Sequence, residues 1–307
     1  MGTYYRLYKG KEDYIKICSF LEESVSVSGP KFYSGLGDLD FCVVQCSSPN
    51  YLENIDEIFK DTYLWFDDND QMIGGIWPDG HMIDFFIHPN KKSIFGEMVE
   101  VGEDYVKASI SEKNQYEEIE WWVFEGDTEL ENVLISEGYY KTQFYRPHRI
   151  FDYSSEIEEP VLPRGYTIKK LMEVDDKRVI LECCKNYFGI DMKEYMLENF
   201  KQTSTYREDL DLVVVAPENT LAAFCTVRYD EKNKMGTFEP VACHPEHKQK
   251  GITKALMCEG LKRVKALGAE VVTVQTSWPG RNLPANKLYE SVGFKLIGNL
   301  YFWRKKC

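Results

Sequence analysis

The sequence has no run of the roughly 18–20 apolar residues that a membrane span requires. It has no Cys-x-x-Cys pair among its nine cysteines. The count is odd and the spacing irregular: Cys183 and Cys184 are adjacent, and Cys42 and Cys46 stand close together. That argues against a disulfide framework and against structural zinc, and fits reduced thiols in a cytosol. Glycine and proline together are 33 of 307 residues, too few for a collagen-like or low-complexity chain. The stretch from Met1 to Lys11 is polar and mixed in charge, without the apolar segment of a secretory signal. A cytoplasmic location is the expectation. Positive charge is also short: the net charge is −13, which disfavours nucleic acid and anionic membrane as partners.

What is present is a globular chain. Hydrophobic residues make up 43% and charged residues 28% of 307 positions. That is room for two domains of roughly 150 residues each. Residues 1–152 carry 13 Lys/Arg against 29 Asp/Glu, and residues 153–307 carry 24 against 21. Halves this different in charge suit different tasks, although an acidic surface also serves plain solubility. The stretch Ser154–Gly165, with two prolines and an acidic cluster, reads as a linker. The division expected is 1–152, a linker at 153–165, and 166–307.

Beyond the linker the pattern alternates. Strand-like runs at 166–171, 210–215, 221–228 and 236–243 enclose two short helices at 175–188 and 192–200. An amphipathic helix over 251–267 follows, with apolar residues at Ile252, Ala255, Leu256, Leu261, Val264 and Leu267. Then come a β-branched strand at 271–275, a helix at 284–292 closed by Gly293, and two last strands at 294–297 and 301–304. The order predicts a mixed α/β layer arrangement. The first half repeats the plan: a strand at 4–8, a helix at 12–23, strands at 63–66, 72–77 and 82–87, a helix at 96–110, a strand at 119–124, a helix at 129–137 and strands from 139. Ile87-His88-Pro89 aligns with Cys243-His244-Pro245 at an offset of 156, and Gly138-Tyr139 with Gly293-Phe294 at 155. One fold used twice explains both offsets.

The informative stretch runs from Phe238 to Leu256. A strand passes through a turn carrying Lys248, Lys250 and Lys254 into a helix that opens at Gly251. A helix N-terminus leaves amides unpaired and partly positive, and glycine permits close approach to the backbone. The turn reads as an anion site, of the kind that holds a pyrophosphate. A solvated, lysine-rich helix start is the plainer alternative.

Here the sequence resembles the GNAT superfamily of acetyltransferases. Lys248-Gln249-Lys250-Gly251-Ile252-Thr253 is similar to that family's phosphate turn, with Lys248 and Thr253 departing from it. Asn282 to Phe294, reading Asn-Leu-Pro-Ala-Asn-Lys-Leu-Tyr-Glu-Ser-Val-Gly-Phe, is similar to its downstream segment. The resemblance covers residues 166–304 and is faint over 1–150. It implies two tandem GNAT folds, the first degenerate. It implies acetyl-CoA as co-substrate and no metal. The pantetheine would lie on the backbone of Val241, Ala242 and Cys243, and the pyrophosphate on Lys248, Gln249, Lys250, Gly251, Ile252, Thr253 and Lys254, with Asn282 touching the pantetheine. An amine would attack the thioester directly. Tyr289 would protonate the departing thiolate, Glu239 would be the base, and the Cys243 N–H would polarise the carbonyl. Core packing for Tyr289 and a surface carboxylate for Glu239 are the alternatives. Cys243, His244 and His247 are a poor zinc set, three potential ligands in one turn without a fourth.

In the first half, Asn90-Lys91-Lys92-Ser93-Ile94-Phe95-Gly96 displaces the glycine, with Ile94 and Phe95 where phosphates would sit. Leu134 stands in the place of Tyr289 and Ile83 in that of Glu239. This half is expected not to catalyse, to help form the acceptor cleft, and by its acidity to favour a cationic amine. Tyr187, Phe188 and Tyr195 would line the acceptor site or pack between helices, and Trp121-Trp122 would belong to a strand and an interface. The function expected is N-acetylation of a small-molecule amine by a monomer or homodimer. A catalytically silent acetyl-CoA sensor or scaffold, or a transferase of longer acyl groups, are the other readings.

Overall fold

The computed structural model describes all residues except 1, 47, 48, 50–53, 114–116, 176 and 190, and the side chains of these except 109–113, 187 and 188. The chain forms two compact units. One contains residues 1–35, 53–148 and 297–307; the other contains 36–52 and 149–296. These are not the segments 1–152 and 166–307 read from the sequence: 36–52 joins the second unit and 297–307 the first.

In the first unit, β1 (Thr3–Leu7), β2 (Tyr63–Asp67), β3 (Met72–Asp79) and β4 (Met82–Ile87) pair antiparallel in sequence order. The helix α4 (Phe95–Lys113) leads to β5 (Glu118–Phe124), which meets β4 in parallel at Met82↔Glu120. On its other edge β5 pairs antiparallel with Leu300–Lys306 of β12 (Lys295–Lys306). The sequence suggests two strands, at 294–297 and 301–304, but a single strand runs through Gly298 and Asn299. The helices α1 (Lys11–Ser28), α3 (Ile55–Phe59) and α5 (Thr128–Ser136) and the strand β6 (Tyr140–Phe151, to His148 in this unit) complete the unit. Its core gathers Trp65, Ile83, Phe95, Met98, Trp121 and Leu134, all fully buried. Trp121 packs inward, 5.4 Å from Phe95 between ring centroids. Trp122 faces the other way, as alternation along a strand requires, stacked on Phe302 under the Arg146 guanidinium.

In the second unit, β7 (Thr167–Lys170), β8 (Asp211–Val215), β9 (Leu221–Asp230) and β10 (Met235–Cys243) are antiparallel in order. The helix α8 (Ile252–Ala266) leads to β11 (Val271–Gln275), parallel to β10. β8 and β9 are buried along their whole length, which explains their near-continuous apolar and β-branched sequence. The face of α8 carrying Ile252, Ala255, Leu256, Leu261 and Val264 is buried, as its period predicts. A kinked helix α9 (Pro279–Val292) closes at Gly293, whose φ of 105° favours glycine. The two short helices of the sequence reading appear as α6 (Arg178–Cys183), continued by a π-helical turn at Cys184–Phe188, and α7 (Glu194–Phe200). Residues 36–52 contribute α2 (Leu36–Gln45), for which the sequence reading had no element.

Candidate functional site

β10 and β11 pair only at Met235↔Val271, Gly236↔Val272 and Thr237↔Thr273. β10 continues against β9, with a break in register between Phe238 and Val241. Half-buried Glu239 lies in that break. Val241, Ala242 and Cys243 then pair with Cys225, Phe224 and Ala223. The His244 N–H donates to the Ala222 carbonyl at 2.8 Å. N–H groups alternate sides along an antiparallel ladder, so Ala242 shares that side. The N–H groups of Val241 and Cys243 therefore turn to the opposite edge, from which β11 has parted.

The turn after β10 holds two left-handed residues, Gln249 at φ 61° and Gly251 at 76°. Nothing crowds the Cα of Gly251, so the backbone angle, and not space, makes glycine the favoured residue there. The N–H groups of Gln249, Lys250 and Gly251 have no backbone acceptor among the described residues. They adjoin the unpaired amides of Ile252, Thr253 and Lys254 in the first turn of α8. Successive amides in such a turn form a concavity that suits an anion, so the chemistry present fits a pyrophosphate. The lysines are less free than the sequence implied. Lys250 donates to the Tyr166 hydroxyl at 3.0 Å, which holds its ammonium above the ordinary lysine range, and Lys254 pairs with Glu158 at 2.7 Å. The Thr253 hydroxyl meets the Cys243 thiol, whose pKa burial nonetheless pushes up. That bond engages the side chain of Thr253 at the strand end.

Tyr289 on α9 is 6% exposed. Burial raises its hydroxyl pKa, and the negative charge of Glu239 adds to the rise while Arg149 opposes it. The structure therefore brings Tyr289 and Glu239 into one electrostatic neighbourhood. Asn282 interrupts α9 with non-helical angles (φ −141°, ψ 65°), and its Oδ1 accepts the N–H of Ala285 at 3.2 Å. It acts locally as a cap, which explains why the regular helix begins near Pro284. His247 accepts or donates at the Tyr166 hydroxyl, 3.0 Å away. Among the described residues no group of His, Cys, Asp and Glu could hold a metal ion.

Sequence reasoning missed three features. Buried Arg149, on β6, lies 3.3 Å from Glu290 and leaves Nε and Nη1 without partners. Asn286 donates to the carbonyls of Ser277 and Asn282, tying the start of α9 together. The third is a polar knot beneath Glu239. Fully buried Arg228 donates to the Glu239 carbonyl (3.4 Å) and to Thr203 (3.3 Å), and lies over the Phe200 ring. Asp211 accepts from Thr226 and Tyr206, and Asp40 of α2 accepts from Ser204 and Thr205. Burial raises the pKa of both aspartates and lowers that of Arg228, against their mutual attraction. A small cavity beside Pro240 reaches Arg228, Asp211 and Thr226. Asp40 had no sequence signal, because nothing near it marks a contact 165 positions away. Tyr195 packs on the adjoining apolar cluster, as the core reading expected; the Tyr187 and Phe188 side chains lie outside the described residues.

Parted parallel strands ending in an amide-lined turn are the feature on which comparison with known proteins bears. Residues 178–294 match the model of the acetyltransferase (GNAT) family. Over its full length the chain has the fold of tandem GNAT proteins. It is similar to a GCN5-related N-acetyltransferase from Sphaerobacter thermophilus (TM-score 0.67, 14% identity, covering 99% of this chain and 95% of that one). It is also similar to a tandem GNAT protein from the clavulanic acid biosynthesis pathway (TM-score 0.64, 13% identity, 99% and 98%). A GNAT acetyltransferase from Colwellia psychrerythraea aligns at TM-score 0.55 and 10% identity over 98% and 99%. No curated protein matches the chain. Proteins of that family transfer acyl groups with acetyl-CoA as co-substrate. No helix among the described residues is long and apolar enough to cross a membrane.

Proposed function

We propose that the second GNAT fold transfers the acetyl group of acetyl-CoA to a primary amine of a small molecule by direct attack. The supporting observation is the edge of β10 from which β11 has parted, running into a turn whose amides at 249–251 have no backbone acceptor among the described residues. In this reading those amides and the first turn of α8 hold the pyrophosphate, and the Val241 and Cys243 N–H groups face the pantetheine and the thioester carbonyl. The amine nitrogen forms a bond to the carbonyl carbon as the C–S bond breaks. Glu239 takes the amine proton, and Tyr289 supplies a proton to the leaving thiolate. The raised Tyr289 pKa supports this role, since it keeps the phenol protonated. Asn282 shapes the adjoining turn. The acidity of residues 1–152 favours a cationic acceptor by steering.

Thiol release from acetyl-CoA across a panel of small amines tests this reading in the full chain. The expected result is turnover with at least one cationic amine, reduced in Glu239→Gln and Tyr289→Phe. Binding of acetyl-CoA without turnover by any amine would replace it with the sensor reading. Faster turnover of longer acyl-CoA would move the donor, not the mechanism.

A further inference from the structure

The first unit has its own parting of strands. β4 and β5 meet at Met82↔Glu120, and between their far ends, Ile87 and Phe124, lies a cavity of about 380 Å³. Its walls are aromatic, from Phe32, Tyr33, Phe86 and Phe124. His148 backs two of them edge-on, at 5.6 Å from Phe32 and 5.7 Å from Phe124.

Three polar features converge on this cavity. First, the N-terminus of α5 lines it and is uncapped. Asp127 stands at the N-cap but makes no side-chain bond to the helix. Its carboxylate is engaged instead by Lys92 (2.7 Å) and by the Tyr33 hydroxyl (2.7 Å). The first-turn amides of a nine-residue helix are thus left facing the cavity, and the nearest acid is already neutralised by a lysine. Second, Ser24 on α1 lines the cavity at 6% exposure, and its hydroxyl has no hydrogen-bond partner. Third, the Lys31 ammonium lies 5.1 Å over the Phe124 ring, with no carboxylate partner among the described residues. Glu129 also lines the cavity, but it is exposed to solvent, where its charge is screened.

We propose that this cavity binds a small organic anion: an apolar or aromatic body between the rings, with its carboxylate on the α5 amides and Lys31 and a hydrogen bond from Ser24. The ligand carries no nucleotide, because the turn of this unit has none of the left-handed residues that gather successive amides in the other unit's turn. Residues 92–94 form a 3-10 turn leading straight into α4, and Ile94 and Phe95 are buried in the core. The apolar pair does not block a phosphate position, as the sequence implied; it has turned inward, into the core.

The probe pair is 3-phenylpropionate and 3-phenylpropan-1-ol, alike in body and different in charge, titrated into the full chain by calorimetry and ligand-observed NMR. The acid should bind, and the alcohol should bind roughly tenfold more weakly. Lys31→Met should weaken the acid about fivefold. Thr128→Pro deletes one amide at a helix position that tolerates proline, and should do the same. Coenzyme A should not displace the acid. Thermal melts of both variants establish that they fold. The proposal is overturned by absence of binding, by equal binding of acid and alcohol, by unchanged affinity in both folded variants, or by displacement with coenzyme A.

Discussion

The two units follow one plan up to a single turn and then part. In each, an antiparallel run of strands ends in a Pro-containing turn, a helix, and a parallel strand that separates from its neighbour. In the second unit the turn passes through left-handed Gln249 and Gly251, and its amides stay open. In the first, Lys92–Ile94 winds directly into α4, and Ile94 and Phe95 go into the core. Three or four residues thus decide whether such a turn passes through left-handed backbone. The parting of parallel strands survives in both, and in the first unit it borders a cavity.

The largest expected separation is chemical. Tyr289→Phe should lower kcat by about 10²-fold or more while acetyl-CoA affinity changes little, since only a proton donor is lost. Its counterpart Leu134, buried in the first core, has no such role: Leu134→Met should leave kcat unchanged. Equal rates for wild type and Tyr289→Phe would remove the phenol from the mechanism. The pH profile sharpens this. Burial raises the Tyr289 pKa, so the acid form persists through the range in which an ordinary phenol ionises. The rate should show no alkaline fall near pH ~10, and a fall there would place the donor elsewhere.

Next is the turn itself. Gly251→Val puts a β-branched residue at a positive φ, a strain of roughly 1–3 kcal/mol, and should weaken acetyl-CoA about tenfold or more by calorimetry. Gly96→Ala, within a regular helix of the first unit, should leave that affinity alone. A loss at Gly96 equal to that at Gly251 would erase the contrast between the turns.

A smaller effect separates the units by stability. Burial lowers the His148 pKa from 6.5 to about 4. The unfolded chain then binds more protons than the folded one between those values. Stability is full above pH ~6.5, falls as pH drops toward ~4, and levels off below; the loss from this residue at pH 5 is roughly 2 kcal/mol. Urea unfolding at pH 7 and pH 5 should show a pH slope in the first unit that His148→Leu flattens. An unchanged slope would assign it to other groups. The smallest effect belongs to Glu158→Gln. It frees an exposed ion pair with Lys254 and should alter acetyl-CoA affinity by less than about twofold, as surface pairs contribute little.

Much of this arrangement was legible in the residues. Apolar periodicity located α8, Gly251 marked the start of that helix, and the 155–156 offsets exposed the repeated plan. Local signals are readable because they depend on neighbours in sequence. Asp40 against Thr205, Arg149 beside Tyr289, and the passage of 297–307 into the first unit were not readable, since each depends on pairing across long separations. The lysines illustrate a subtler limit. Composition placed three positive charges at the turn, but Tyr166 and Glu158 engage two of them, leaving main-chain amides as the principal donors.

The most direct measurement is a crystal structure of the full chain with acetyl-CoA. The account predicts the diphosphate within hydrogen-bond distance of the amides of residues 249–253, and the thioester between β10 and β11 close to Tyr289. A diphosphate held at residues 90–95, or a space between β10 and β11 filled by side chains, would contradict it.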